Sequence, residues 1–233
     1  MLIGNISYHS IWLNDVDKKI KLIDQTKLPH EFKIYEIKGL EDAVHAINKM
    51  LVRGAPLIGV TAAFGFAVAM NQDSSESGIN KAYSSLVAAR PTAINLEWAC
   101  CRMRDYLRSL PQNLRTDAAY DFAQIMAKED IETNTRIGKF GAEVIKEIAK
   151  NKVDESPVRI LTHCNAGWLA TVDRGTATSP IYEANEQGIS LEVWVDETRP
   201  RNQGAALTAW ELQHNNISNT LIVDNAGGHL MQR

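Results

Sequence analysis

Apolar residues change their spacing several times along the chain, and each change marks an element. Residues 10–14 (Ser10-Ile-Trp-Leu-Asn14) and 19–24 flank Asn14-Asp-Val-Asp17, a pattern that predicts a β-hairpin closed by an Asn/Asp turn. Residues 31–37 alternate imperfectly (Phe32, Ile34, Ile37) and predict a third strand. From Leu40 the period lengthens. Leu40, Val44, Ile47 and Leu51 share one helical face. A second helix is expected to begin at Pro56, since proline suits the first helical turn. Its residues Ile58, Val60, Ala62, Ala63, Phe66 and Ala67 are apolar almost all round, so it belongs in a core. Residues 71–78 read as a polar loop. Leu96, Cys100, Met103, Leu107 and Leu110 form another helical stripe, ended by Pro111. Residues 117–150 carry a long helical pattern, one helix or two.

Past Pro157 the rhythm becomes strand, helix, strand, helix. Residues 158–162, 189–195 and 219–223 read as strands. Helices are expected over a segment ending at Gln187-Gly188, over 203–214 and from Ala226 onward. Units of this length argue for a parallel, doubly wound sheet. The expected fold is therefore α/β. A small β-hairpin and helical N-terminal domain, residues 1–128, precedes a partial Rossmann-like domain, residues 129–233.

Composition narrows the function. At 45% hydrophobic and 23% charged, the 233-residue chain can bury a sizeable core. A formal charge of −3 argues against a grip on nucleic acid, which wants a basic surface. The first five residues lack a basic region followed by an apolar run, so no signal peptide is expected there. The most apolar stretch, residues 60–70, falls short of the roughly 20 residues that span a bilayer. Three cysteines, Cys100, Cys101 and Cys164, read as reduced thiols of the cytoplasm.

Ligands in open parallel sheets bind beyond the carboxyl ends of the strands. The three strand ends here carry His163-Cys-Asn-Ala-Gly167, Asp196-Glu-Thr-Arg-Pro-Arg-Asn-Gln-Gly204 and Asp224-Asn-Ala-Gly-Gly228. Their converging acids, amides, thiol and guanidinium groups suggest a site. Cys164 is either a small core residue or a functional thiol activated at a helix start. His163 is set aside as its base, because successive strand residues point to opposite faces. Cys100 and Cys101 lack metal-binding spacing and belong to a helix stripe. In the N-terminal half, Arg53-Gly-Ala-Pro56 reads either as turn chemistry or as an anion cradle, in which glycine lets a phosphate approach a helix start. Arg90-Pro-Thr-Ala-Ile-Asn95 repeats the pattern. The histidines form no HxxxH pair, and no GxGxxG follows the first parallel strand, so neither a metal nor a dinucleotide is expected.

Five blocks, taken together and in order, resemble the methylthioribose-1-phosphate isomerases: Val52-Arg-Gly-Ala-Pro-Leu-Ile-Gly59, Ala89-Arg-Pro-Thr-Ala-Ile-Asn95, Leu161-Thr-His-Cys-Asn-Ala-Gly167, Val195-Asp-Glu-Thr-Arg-Pro-Arg-Asn-Gln-Gly204 and Leu221-Ile-Val-Asp-Asn-Ala226. The wider superfamily also holds ribose-1,5-bisphosphate isomerases and regulatory subunits of a translation-initiation exchange factor. The resemblance implies conversion of an aldose 1-phosphate to a ketose 1-phosphate without a cofactor. Because phosphate blocks the anomeric oxygen, the ring must be opened by acid/base groups while the phosphate is held firmly. The resemblance assigns catalysis to Cys164 and substrate holding to Arg53, Gly54, Ala55, Arg90 and Gln203. Its second acid/base group, an aspartate in a Gly-x-Asp-Arg block, falls after Arg233, so this stretch alone is expected to be inactive. Asp173-Arg174 departs from the family's more apolar pair, and Pro180 must kink a helix or start one. The expected partners are a sugar phosphate and, in the full-length parent, a second copy. No nucleic acid or membrane partner is expected. Alternatives are 5-deoxyribose 1-phosphate or ribose 1,5-bisphosphate as substrate, or a non-catalytic regulatory subunit.

Overall fold

A computed structural model describes residues 1–4, 6–14, 16 and 19–232. The order is β1 (Leu2–Ile3), β2 (Ile6–Ser7), β3 (Ile11–Leu13), β4 (Ile20–Ile23), β5 (Ile34–Ile37), α1 (Leu40–Asn48), α2 (Ala55–Gln72), α3 (Glu76–Ala89), α4 (Ile94–Arg108), α5 (Arg115–Asn151), β6 (Val158–Thr162), α6 (Ser179–Glu186), β7 (Leu191–Asp196), α7 (Ala209–His214), β8 (Asn219–Ile222) and α8 (Gly227–Met231). The chain divides into two compact units: residues 10–27 with 32–130, and residues 1–9 with 28–31 and 131–233.

In the unit of residues 10–27 and 32–130, β3, β4 and β5 form an antiparallel sheet in sequence order. The expected hairpin and third strand are both present. Asp15 and Asp17 of the expected turn lie outside the described residues. Asp42 fixes the start of α1, its carboxylate accepting from the N–H groups of Lys38 and Gly39 at 2.9 and 3.1 Å. Helix α2 begins at Ala55, one residue before the expected proline. At 18 residues it is long and apolar enough to cross a membrane, more than the 60–70 stretch suggested. Yet every residue from Leu57 to Met70 is buried, so it is the central helix of a helical layer. Small residues make this possible. A Cβ on Gly65 would lie 2.8 Å from the Ala43 Cβ of α1, and one on Gly59 would lie 3.1 Å from the Asn95 carbonyl of α4.

Helix α3 corrects the expectation of a loop. It starts within residues 71–78, where the Ser75 hydroxyl accepts from the Gly78 N–H at 3.2 Å. It buries Ile79, Ala82, Leu86 and Ala89, a helical face interleaved with Asn80, Ser84 and Ser85. Those polar, weakly helix-forming residues hide the period.

In the other unit, β6, β7 and β8 form a parallel sheet in that order. Thr162 pairs with Val195 and Asp196 with Ile222, so the three carboxyl ends lie at one edge. Residues 131–151 of α5 pack against α6 through two glycines: side chains on Gly138 and Gly141 would collide with Ser179 and Pro180. Pro180 starts α6 rather than kinking it. The helix expected before Gly188 is correspondingly short. Arg174 and Gly175 adopt left-handed backbone at φ 71° and 77°, which breaks any helix through them. Asp173, the polar departure noted in the sequence, is held by His9 Nδ1 at 3.2 Å and by the Arg174 N–H at 2.7 Å.

Candidate active site at the parallel strand ends

Cys164 sits two residues past the end of β6, half-buried, with φ at 66°. A non-glycine residue rarely adopts this left-handed conformation, which costs on the order of 1–3 kcal/mol and collects at functional sites. Both of its backbone groups are held. The Cys164 N–H donates to Thr198 Oγ1 at 2.7 Å, and the Thr208 hydroxyl donates to the Cys164 carbonyl at 2.7 Å. Thr198 is itself left-handed at φ 54°, and a β-branched residue there is a clear outlier. Asp224, beyond β8, accepts from the Thr198 and Arg199 N–H groups at 2.7 and 2.8 Å. These N–H donors, Arg199 first, hold its carboxyl below the usual aspartate range.

The His163 ring meets the Asp196 carboxylate, Nδ1 to Oδ2, at 3.0 Å. His163 and Cys164 both lie beyond the strand, so strand alternation does not govern where they point. The aspartate partner, not the pleat, fixes the imidazole. His163, Asp196 and Asp224 bring one ligand-type atom each within 4.8 Å of one another. Sequence spacing missed this trio because its members come from three strand ends. Both Asp224 oxygens already accept backbone hydrogen bonds.

The segment after Cys164 is not the helix start that the sequence suggested. Trp168–Ala170 is a single 3-10 turn. The N–H groups of Trp168 and Leu169 donate to Glu211 at 3.0 and 3.1 Å, so they are taken by a protein carboxylate. Glu211 is fully buried and also accepts from Asn165 Nδ2 at 2.7 Å and the Tyr182 hydroxyl at 2.9 Å. Burial pushes its carboxyl up to about 7 despite these donors. Sequence reading did not single out Glu211. A lone acid in an otherwise apolar Ala-Trp-Glu-Leu run of α7 was the available signal.

Gln203 precedes a π-helical turn, Gly204–Thr208, that leads into α7. The expected helix over 203–214 therefore opens with a wide turn, a form found often at functional sites. Gly204 has no room for a side chain, because a Cβ would overlap the Asp196 carbonyl. Three buried acceptors here have no hydrogen-bond partner among the described residues: Asn165 Oδ1, Asp196 Oδ1 and Gln203 Oε1. Buried acceptors in native proteins are almost always satisfied, and these three depart from that rule.

In the other unit, Gly54 caps α2 with φ at 86°, a conformation suited to glycine. Ala55 is the exposed first residue of that helix, and Arg53 precedes it half-buried. Arg90 ends α3, four residues before α4 begins. The contact of Gly59 with Asn95 brings the first turns of α2 and α4 together. The Arg53-Gly54-Ala55 and Arg90–Asn95 segments thus belong to neighbouring helix starts.

Residues 51–233 match the initiation factor 2 subunit family. The chain belongs to that family. It is 58% identical over 232 residues to the methylthioribose-1-phosphate isomerase of Brucella anthropi and 56% identical over 225 residues to that of Escherichia coli. These matches cover 100% and 97% of the chain, and it spans only 64% and 60% of those relatives. Among solved structures it is similar to the 5-methylthioribose 1-phosphate isomerase of Pyrococcus horikoshii, with a TM-score of 0.84 and 36% identity over 100% of the chain and 66% of that protein. It is equally similar to a structure from A. fulgidus described as translation initiation factor eIF-2B, subunit delta, with a TM-score of 0.83 and 38% identity over 97% of the chain and 65% of that protein. The backbone alone therefore does not separate an isomerase from a factor subunit.

Proposed function

We propose that the protein carrying this chain isomerises 5-methylthioribose 1-phosphate to 5-methylthioribulose 1-phosphate. The observation that carries this reading is identity of up to 58% across the whole chain to proteins named as that isomerase, together with Cys164 half-buried at a parallel strand end. In this reading the Cys164 thiol is one acid/base group. Gln203 Oε1 accepts a substrate hydroxyl. Arg53, Gly54, Ala55 and Arg90 hold the phosphate, with forked guanidinium donors and the N–H groups of the α2 start.

The reading places catalysis in the cytoplasm, in keeping with three unpaired cysteines. It also makes the working enzyme a homodimer. Support comes from Ile137, Phe140, Val144 and Ile148, an exposed apolar stripe along α5.

The test is an assay of the complete gene product with 5-methylthioribose 1-phosphate, 5-deoxyribose 1-phosphate and ribose 1,5-bisphosphate. The first is expected to turn over fastest. Turnover of none of them favours a non-catalytic regulatory subunit, the second reading that the A. fulgidus structure supports. Light scattering of the same sample gives the oligomeric state.

A further inference from the structure

Two adjacent outliers, Cys164 and Thr198, both hold left-handed backbone with side chains that prefer other conformations. They are joined directly by the hydrogen bond from the Cys164 N–H to the Thr198 hydroxyl oxygen at 2.7 Å. The Thr198 proton is committed elsewhere, to the Asp196 carbonyl at 3.2 Å. The hydroxyl therefore faces Cys164 as an acceptor and cannot reverse its role. Thr198 is 5% exposed, so water does not replace that acceptor readily. Asp224 in turn clamps the strained turn by taking two successive N–H groups, those of Thr198 and Arg199. The chain of contacts runs from the end of β8, through the end of β7, to the thiol residue beyond β6.

We propose that Thr198 and Asp224 are positioning residues for Cys164: the Asp224 carboxylate fixes the Thr198 turn, and the Thr198 hydroxyl fixes the strained backbone that aims the thiol. This rests on the isomerase reading for its consequence in turnover, but not for its consequence in thiol placement. Strain of this kind persists only where surrounding structure over-determines it. Here part of the restraint comes from Thr198 and Asp224, side chains that do not carry the reacting group, alongside the Thr208 hydroxyl on the Cys164 carbonyl.

Thr198→Val keeps the shape and removes the acceptor, leaving the Cys164 N–H unpaired. Thr198→Ser keeps the acceptor. Asp224→Asn keeps the shape and turns one acceptor oxygen into a donor facing an N–H. In the complete gene product, T198V is expected to lower kcat about 10–100-fold, the scale for a displaced catalytic group, with KM changed less than about threefold. T198S is expected to restore kcat to within about threefold of the wild type, and D224N to fall between the two. In parallel, the rate of Cys164 alkylation by iodoacetamide, read by mass spectrometry, is expected to change at least about fivefold in T198V and D224N and to stay unchanged in T198S. Alkylation and kcat in T198V both matching the wild type, or T198S behaving as T198V does, overturns the proposal. A wild-type protein without isomerase activity overturns the isomerase reading instead, and the alkylation series then decides the positioning role alone.

Discussion

The Asn165 amide donates to the Glu211 carboxylate at 2.7 Å, tying the residue after Cys164 to a buried acid 46 positions later. Glu211 holds the following turn as well, through the Trp168 and Leu169 N–H groups. The loop that carries the thiol is thus shaped from beneath by one carboxylate.

That carboxylate gives the chain a pH-dependent stability. Its value rises from an ordinary 4.5 to about 7 because burial penalises the charge. Between those values the folded chain keeps a proton that the unfolded chain has released, so stability falls as pH rises through the window. The decline is on the order of 3 kcal/mol. Glu211→Gln has the shape of the protonated acid without its titration. Urea unfolding of both forms from pH 4 to 8 is expected to show the wild type losing stability relative to E211Q as pH rises. Parallel curves would dismiss this account.

Of the three thiols, Cys100 is buried while Cys101 and Cys164 are half-buried. Burial pushes the Cys100 thiol up to about 12, and that residue has no exposed surface. Cys164 is half-buried at the strand end. Brief alkylation at pH 8 followed by peptide mass spectrometry is expected to label Cys164 ahead of Cys100. The thiolate, scarce at Cys100, is the reacting form. In the complete gene product, Cys164→Ser is expected to lower turnover about 10²–10⁴-fold, the usual scale for a positioned acid/base group. A fully active C164S refutes the catalytic role.

Gly59 tests whether the two helix starts must meet. Alanine there puts a Cβ 3.1 Å from the Asn95 carbonyl and 3.4 Å from the Ala99 Cβ. Overpacking of this kind typically costs about 1–3 kcal/mol. Gly59→Ala is expected to lower the urea midpoint and to weaken inorganic phosphate binding in calorimetry. Unchanged values for both would mean that the close approach of α2 and α4 has no consequence for anion binding.

The proposed function assigns Arg53 and Arg90 to the substrate phosphate. Replacing either with Met is expected to raise KM for 5-methylthioribose 1-phosphate about 10–100-fold, since a hydrogen bond to a charged group contributes about 1.5–3 kcal/mol. Steady-state kinetics on each variant of the complete gene product checks this. An unchanged KM in both removes them from the site.

Much of this protein was written in local pattern. The Asn/Asp turn marked β3 and β4, imperfect alternation marked β5, and the apolar runs marked β6, β7 and β8, because each strand buries a face whatever its partners are. Ordered blocks marked Cys164, Arg53 and Arg90 as residues to watch. Local pattern failed at α3, where buried Ile79, Ala82, Leu86 and Ala89 alternate with residues of weak helix propensity. It failed again before α6, where left-handed Arg174 and Gly175 end any helix. What tertiary structure alone decided is how the strand ends meet. Glu211 and Asn165, Asp224 and Thr198, and His163 and Asp196 are each separated by at least 26 positions. No periodicity within one element relates such pairs. They meet because parallel pairing in register brings three carboxyl ends to one edge, and hydrogen bonds between those ends hold backbone conformations that no single segment would adopt on its own.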